Sequence, residues 1–220
     1  MEDETGFDPR LKTPSNIMVV GPSKSGKTSW VGRLIRERQD GVFRQPLKKV
    51  LYCYGEWQPL FETWQGPDVQ FVQGIPDDLY EGFDGQPGLL ILDDLMAECR
   101  QNPDVEKLFT RGTHHRQLTV VKMTQNMFCA GQRTESLNTH YMVVFKNPRD
   151  QTQLLYLLRQ AFPRAAERRV AEEAFINATR RPYGYLMFDF ETDTPDRYRL
   201  RTNVFPNDPG PQEVYLAKHE

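Results

Sequence analysis

At 220 residues, 26% charged and 38% hydrophobic, the chain has the composition of an ordinary soluble globular protein of one domain, or of one domain with a small appendage. It holds no apolar run of about 18 residues and opens on an acidic Met1-Glu-Asp-Glu-Thr5. Both features argue against a membrane span or secretory leader and for an intracellular protein. The net charge of −2 excludes a polycation, yet residues 1–110 carry 12 Lys/Arg against 18 Asp/Glu, and residues 111–220 carry 16 against 12. The arginine excess of the second half suits a local nucleic-acid surface or, equally, solvated helix faces. Cys53, Cys99 and Cys129 lack C-x-x-C spacing and read as reduced, mostly buried thiols rather than metal ligands or a disulfide frame.

Taken in order, residues 1–14 are acidic and read as a flexible arm. Residues 16–20, Asn-Ile-Met-Val-Val, predict a short buried strand. A helix is expected over 27–38, with Trp30, Val31, Leu34 and Ile35 on one side. Residues 48–54 and 69–73 predict strands, 60–64 a helical turn and 76–83 a short helix. The apolar run 88–94 ends in Asp93-Asp94 and predicts a buried parallel strand. A helix is expected over 103–116 with Val105, Leu108 and Phe109 inward, then a core strand over 118–125. Residues 128–138 read as a polar loop containing Arg133, and 139–145 as a further strand. Helices follow over 150–162, with Leu154, Leu155, Leu157 and Leu158, and over 164–179, with Val170, Ala174, Phe175 and Ile176. Residues 183–190 and 197–203 predict a hairpin, and a Pro-rich tail covers 207–220. Alternation of strands and helices to residue 160 predicts an α/β fold, a mostly parallel sheet flanked by helices, with residues 15–206 as one domain.

Two stretches carry chemistry. Gly21-Pro-Ser-Lys-Ser-Gly-Lys-Thr-Ser29 fits G-x-x-x-x-G-K-[ST] between a predicted strand and helix. In such a loop Gly21, Pro22, Ser23, Lys24, Ser25, Gly26, Lys27, Thr28 and Ser29 wrap a nucleotide's phosphates. Backbone N–H groups and the helix dipole point inward, Lys27 reaches the β- and γ-phosphates, and the Thr28 hydroxyl ligates Mg²⁺. Paired carboxylates at the end of a buried strand are costly unless their charge is balanced. Asp93 therefore reads as a Mg²⁺ ligand, directly or through water, and Asp94 as the group that orients and polarises water. If the 118–125 strand lies between the other two, Gln125 sits beside the phosphate loop, positioned for the γ-phosphate or the water; otherwise it is a strand-end amide bonding a loop.

These stretches, with Phe109-Thr-Arg-Gly-Thr-His-His-Arg116, Thr124-Gln-Asn126, Ser136-Leu-Asn-Thr-His-Tyr-Met-Val-Val-Phe-Lys-Asn-Pro-Arg-Asp150 and Arg181-Pro-Tyr-Gly-Tyr-Leu186, resemble the DNA-packaging ATPases of the FtsK–HerA superfamily. The likeness covers about residues 15–206 and points to the poxvirus-like branch found in virophages, adintoviruses and Polinton elements. The resemblance implies a P-loop NTPase of RecA-like type that hydrolyses ATP with Mg²⁺. It also implies a homo-oligomeric ring, pentamer or hexamer, that drives double-stranded DNA into a capsid at a portal vertex. It implies a place in the nucleus or cytoplasm of an infected host cell, and with the virion. By position it makes Lys27, Thr28, Asp93 and Asp94 the two Walker motifs and Gln125 the sensor. Arg116, then Arg111, are candidates for the arginine supplied to a neighbouring subunit. Asp94 stands where many members carry the longer Glu. Arg133 and the arginines from Arg159 to Arg201 are candidate DNA contacts.

Two other readings remain. One is a protein that binds nucleotide only to set assembly, with no motor activity. The other is a different P-loop phosphotransferase, although a guanine-reading Asn-Lys-x-Asp is missing and the arginines are poorly placed for a kinase lid.

Overall fold

The computed structural model describes residues 6–79, 83, 85–95, 98–99, 102, 105, 107–109, 117–128 and 133–216. Its strands are β1 (Asn16–Val20), β2 (Lys49–Tyr54), β3 (Val69–Gln73), β4 (Gly88–Asp93), β5 (Leu118–Thr124), β6 (Tyr141–Phe145), β7 (Tyr185–Asp189), β8 (Leu200–Thr202) and β9 (Glu213–Val214). They form one sheet in the order β3-β2-β4-β5-β1-β6-β7-β8-β9. The first six are parallel and the last three antiparallel. The expected hairpin therefore extends the main sheet, through β6.

Every residue of β1, β4, β5 and β6 is buried, because the sheet is covered on both faces. Alternation along β1 sends Ile17 and Val19 to one core and Met18 and Val20 to the other. The first core receives α1 (Lys27–Glu37) through Trp30, Val31, Leu34 and Ile35, each worth about 1.5–3 kcal/mol when fully buried. A 3₁₀ turn, Pro59–Trp64, lies against α1. A Cβ on Gly32 would stand 2.1 Å from Cζ2 of Trp64, so the helix has a notch where the indole rests. The opposite core takes α3 (Thr152–Ala161) and α4 (Ala165–Ala178).

Several expectations change. Residues 1–14 are not loose throughout: Leu11 is 2% exposed, pairs with Phe43, and exchanges backbone hydrogen bonds with Val42 and Arg44. The Pro-rich tail contributes β9. Residues 76–79 carry no helix, as their Pro-Asp-Asp start favours a turn. Within the expected polar loop, α2 (Arg133–Leu137) is helical. Leu155 and Ile176 face solvent, since helical periodicity turns them away from the stripe set by Leu154, Leu158, Ala171 and Phe175. Val105, Leu108 and Phe109 are buried as expected; most of the remainder of 103–116, and Cys129, lie outside the described residues. Burial pushes the Cys53 thiol up to about 12 and that of Cys99 up to about 11, so both stay protonated.

Among the described residues, two ion pairs are almost fully buried in this framework. Lys122 of β5 meets Glu135 of α2, both almost fully enclosed. Arg201 of β8 meets Asp189 of β7, each 1% exposed at the side chain.

Candidate active site

The loop between β1 and α1 is built from strained and permissive backbone. Gly26 has φ 112°, at the N-cap of α1, and Lys24 has φ 64°; the first suits glycine, and the second is uncommon for a residue with a Cβ. No side chain caps α1 and its first turn holds no acid, so its free N–H groups and positive dipole end face the loop unopposed. Gly21 N–H donates to the Thr124 carbonyl at 3.2 Å, tying the loop to β5. A Cβ on Gly21 would lie 2.7 Å from Ser25 Oγ and 2.8 Å from Phe145 Cβ, so the chain doubles back too tightly there for any other residue.

Two polar groups inside the loop lack a good partner. The Ser25 hydroxyl is enclosed without a hydrogen bond. Lys27 Nζ donates to the carbonyls of Gly21 at 2.6 Å and Pro22 at 3.1 Å. Burial pushes the Lys27 pKa down, against the pull of Asp94 and Asp93. An orphaned hydroxyl and a partly desolvated ammonium resting on neutral carbonyls fit an anionic group such as a phosphate.

The sheet order brings the other expected residues to this loop. β5 lies between β1 and β4, so Gln125 and Asp94, each one residue past its strand, are neighbours at the carboxyl edge. Gln125 Nε2 donates to Asp94 Oδ2 at 3.3 Å. Asp94 is exposed and left-handed, with φ 53°. Asp93 is 7% exposed. Burial raises its pKa, with Asp94 adding to the rise; a hydrogen bond from Tyr52 and the charge of Lys27 oppose it. Tyr52 Oη donates to Asp93 Oδ2 at 2.7 Å, and burial beside that carboxylate pushes the phenol well above its ordinary range.

Tyr52 is the residue that sequence reasoning missed. It reads as one more aromatic in a strand, and its role follows only from register. Tyr52 pairs with Ile91, which puts it on the face of the sheet that Asp93 also uses, two residues on. Arg116 and Arg111 lie outside the described residues. The side chain of Arg133 is likewise outside them. Arg201, one of the candidate DNA contacts, is 0% exposed and paired with Asp189, so it is withdrawn from that role.

No protein-family model matches this sequence, and no curated protein matches it significantly. Solved structures do resemble it. The genome packaging NTPase B204 of Sulfolobus turreted icosahedral virus 2, in complex with ATP-gammaS, has a TM-score of 0.54 at 12% identity, covering 97% of this chain and 100% of that one. The same protein with AMP has a TM-score of 0.46 at 14% identity, covering 86% and 96%. The cytoplasmic domain of EssC has a TM-score of 0.46 at 15% identity, covering 65% and 33%. The ATP-gammaS complex is alike over its full length, in line with the resemblance read from the sequence, and the chain has the fold of a P-loop NTPase.

Proposed function

We propose that this chain is an ATP-hydrolysing motor that packages double-stranded viral DNA, working as a homo-oligomeric ring on a capsid or portal vertex. The observation that carries the reading is the meeting, at the ends of β1, β5 and β4, of the phosphate loop, Gln125 and Asp93-Asp94. The full-length likeness to a fold used by a genome packaging NTPase supports the choice of motor. Residues 15–206 form the ATPase domain in this reading, with Leu11 docked on it.

Each residue has a task. The 21–29 loop holds the phosphates through its backbone N–H groups, and Lys27 exchanges its two carbonyls for phosphate oxygens. Thr28 and Asp93 would hold Mg²⁺, which would neutralise charge developing on the phosphates. The buried, under-neutralised Asp93 carboxylate suits a cation. Tyr52 fixes the direction of that carboxylate, since the phenol donates to one oxygen and, among the described residues, none donates to the other. Asp94 accepts a proton from water, and Gln125, already bonded to Asp94, orients that water. Arg116 or Arg111 serves a neighbouring subunit's site.

The test is phosphate release by the purified protein, with and without double-stranded DNA. Stimulation by DNA is expected, and Lys27→Ala should lose at least about a hundred-fold in turnover. Asp94→Asn should bind ATP and not hydrolyse it. Full turnover by Asp94→Asn would overturn the assignment of that residue, and hydrolysis indifferent to DNA would overturn the motor reading.

A further inference from the structure

One residue beside the phosphate loop has the marks of a ligand contact and no task so far. Tyr183 precedes β7 and is 72% exposed. Its φ is 62°, a region that bulky side chains rarely adopt. The turn holds it there. Gly184 N–H donates to the Arg181 carbonyl at 3.0 Å, and a Cβ on Gly184 would lie 2.3 Å from the Ala178 carbonyl oxygen. With position 184 pressed against the end of α4, the chain turns at Tyr183. Among the described residues its ring has neither a hydrogen bond nor an aromatic partner. It does have a neighbour: a Cβ on Gly26 would stand 3.2 Å from both Cβ and Cδ1 of Tyr183. The ring root therefore sits against the last glycine of the phosphate loop, with its face open.

The sheet order says which end of a nucleotide lies there. Asp93, Asp94 and Gln125 lie at the ends of β4 and β5, on one side of β1; β6 and β7 are on the other. A triphosphate whose terminal phosphate faces the carboxylates sends its nucleoside toward β7. We propose that Tyr183 is the platform on which the purine base of the bound nucleotide stacks. The inference rests on the nucleotide-binding reading above and adds to it the residue that holds the base. A flat, open ring accepts a base by stacking, a use that an aromatic residue serves where asparagine or glycine would fit the backbone with less strain.

The experiment is calorimetric titration of the whole protein, with Mg²⁺, by ATP and separately by inorganic triphosphate, which has no base. Tyr183→Ala should lose about ten-fold in ATP affinity and keep its triphosphate affinity. Tyr183→Phe should keep both. Tyr183→Asn, better suited to the left-handed backbone, should lose the same ATP affinity while Tm holds or rises, which separates base contact from folding. Equal losses for both ligands, or no loss, would overturn the proposal. Wild-type protein that binds neither ligand would overturn the nucleotide reading itself, and the base platform with it.

Discussion

The parallel and antiparallel parts of the sheet each bury an aspartate, and they treat it differently. Asp189, on β7, accepts from the Glu191 N–H at 3.0 Å, from the Thr194 hydroxyl at 3.0 Å and from Arg201 at 2.5 Å. Asp93, on β4, accepts from Tyr52 and, among the described residues, has no ion-pair partner within bonding distance. Burial raises both pKa values. The first carboxylate is held by three donors and fixes the hairpin and, through an Arg201 bond to the Pro9 carbonyl, the N-terminal segment. The second is left short of positive charge at the strand end nearest the phosphate loop. A carboxylate whose charge is unmet at a strand end marks a place for a ligand; one with a full set of donors marks a place for stability.

The contrast predicts opposite outcomes from similar substitutions. Arg201→Ala strands a buried carboxylate and should cost about 3–5 kcal/mol in urea unfolding, leaving the nucleotide loop chemically intact. A small loss would deny the ion pair its role. Asp93→Asn should instead cost at least about a hundred-fold in phosphate release while raising stability by about 0.5–2 kcal/mol. That gain should depend on pH. Folded wild-type protein keeps the Asp93 proton to higher pH than the unfolded chain does, so the associated stability is present below about pH 4 and is lost as pH rises through the raised folded value. The amide lacks this loss, so its advantage should grow across that window and then level off. A constant difference between the two unfolding curves would show that Asp93 is already neutralised.

Smaller effects sharpen the same point. Gly32→Ala drives a methyl into a rigid indole and should destabilise by about 1–3 kcal/mol, measured by thermal unfolding. Tyr52→Phe removes one donor from the Asp93 carboxylate, worth about 1.5–3 kcal/mol. Turnover should fall a few-fold, and the acidic limb of the pH–rate profile should move to higher pH, because the carboxylate holds its proton longer. An unmoved limb would separate Tyr52 from the chemistry.

What the sequence makes legible here is local. The 21–29 loop follows a fixed spacing, the strands are short apolar runs, and Asp93, Asp94 and Gln125 each stand at the end of one. Their meeting was conditional on β5 lying between β1 and β4, as it does. Pairings between segments are not local. Tyr52 and Asp93 are 41 positions apart, and only the β2–β4 register joins them. Arg201 read as one of the candidate DNA contacts because nothing beside it in the chain announces Asp189. Lys122 lies within the predicted core strand 118–125 and meets Glu135 on a helix that the polar 128–138 stretch concealed. Tyr183 lay inside a predicted strand, and its exposure arises from a turn forced by Gly184.

The notch at Gly32 has a consequence for how the loop moves. An indole seated in a helix acts as a dowel: α1 is unable to slide along its own axis without the ring striking the Cβ atoms of neighbouring turns. Since the phosphate loop is the leading end of that helix, any stroke of the loop must carry α1, the 59–64 turn and the adjoining sheet edge as one body. The position of the loop is thus gauged from more than one helical turn away, by a residue that has no side chain.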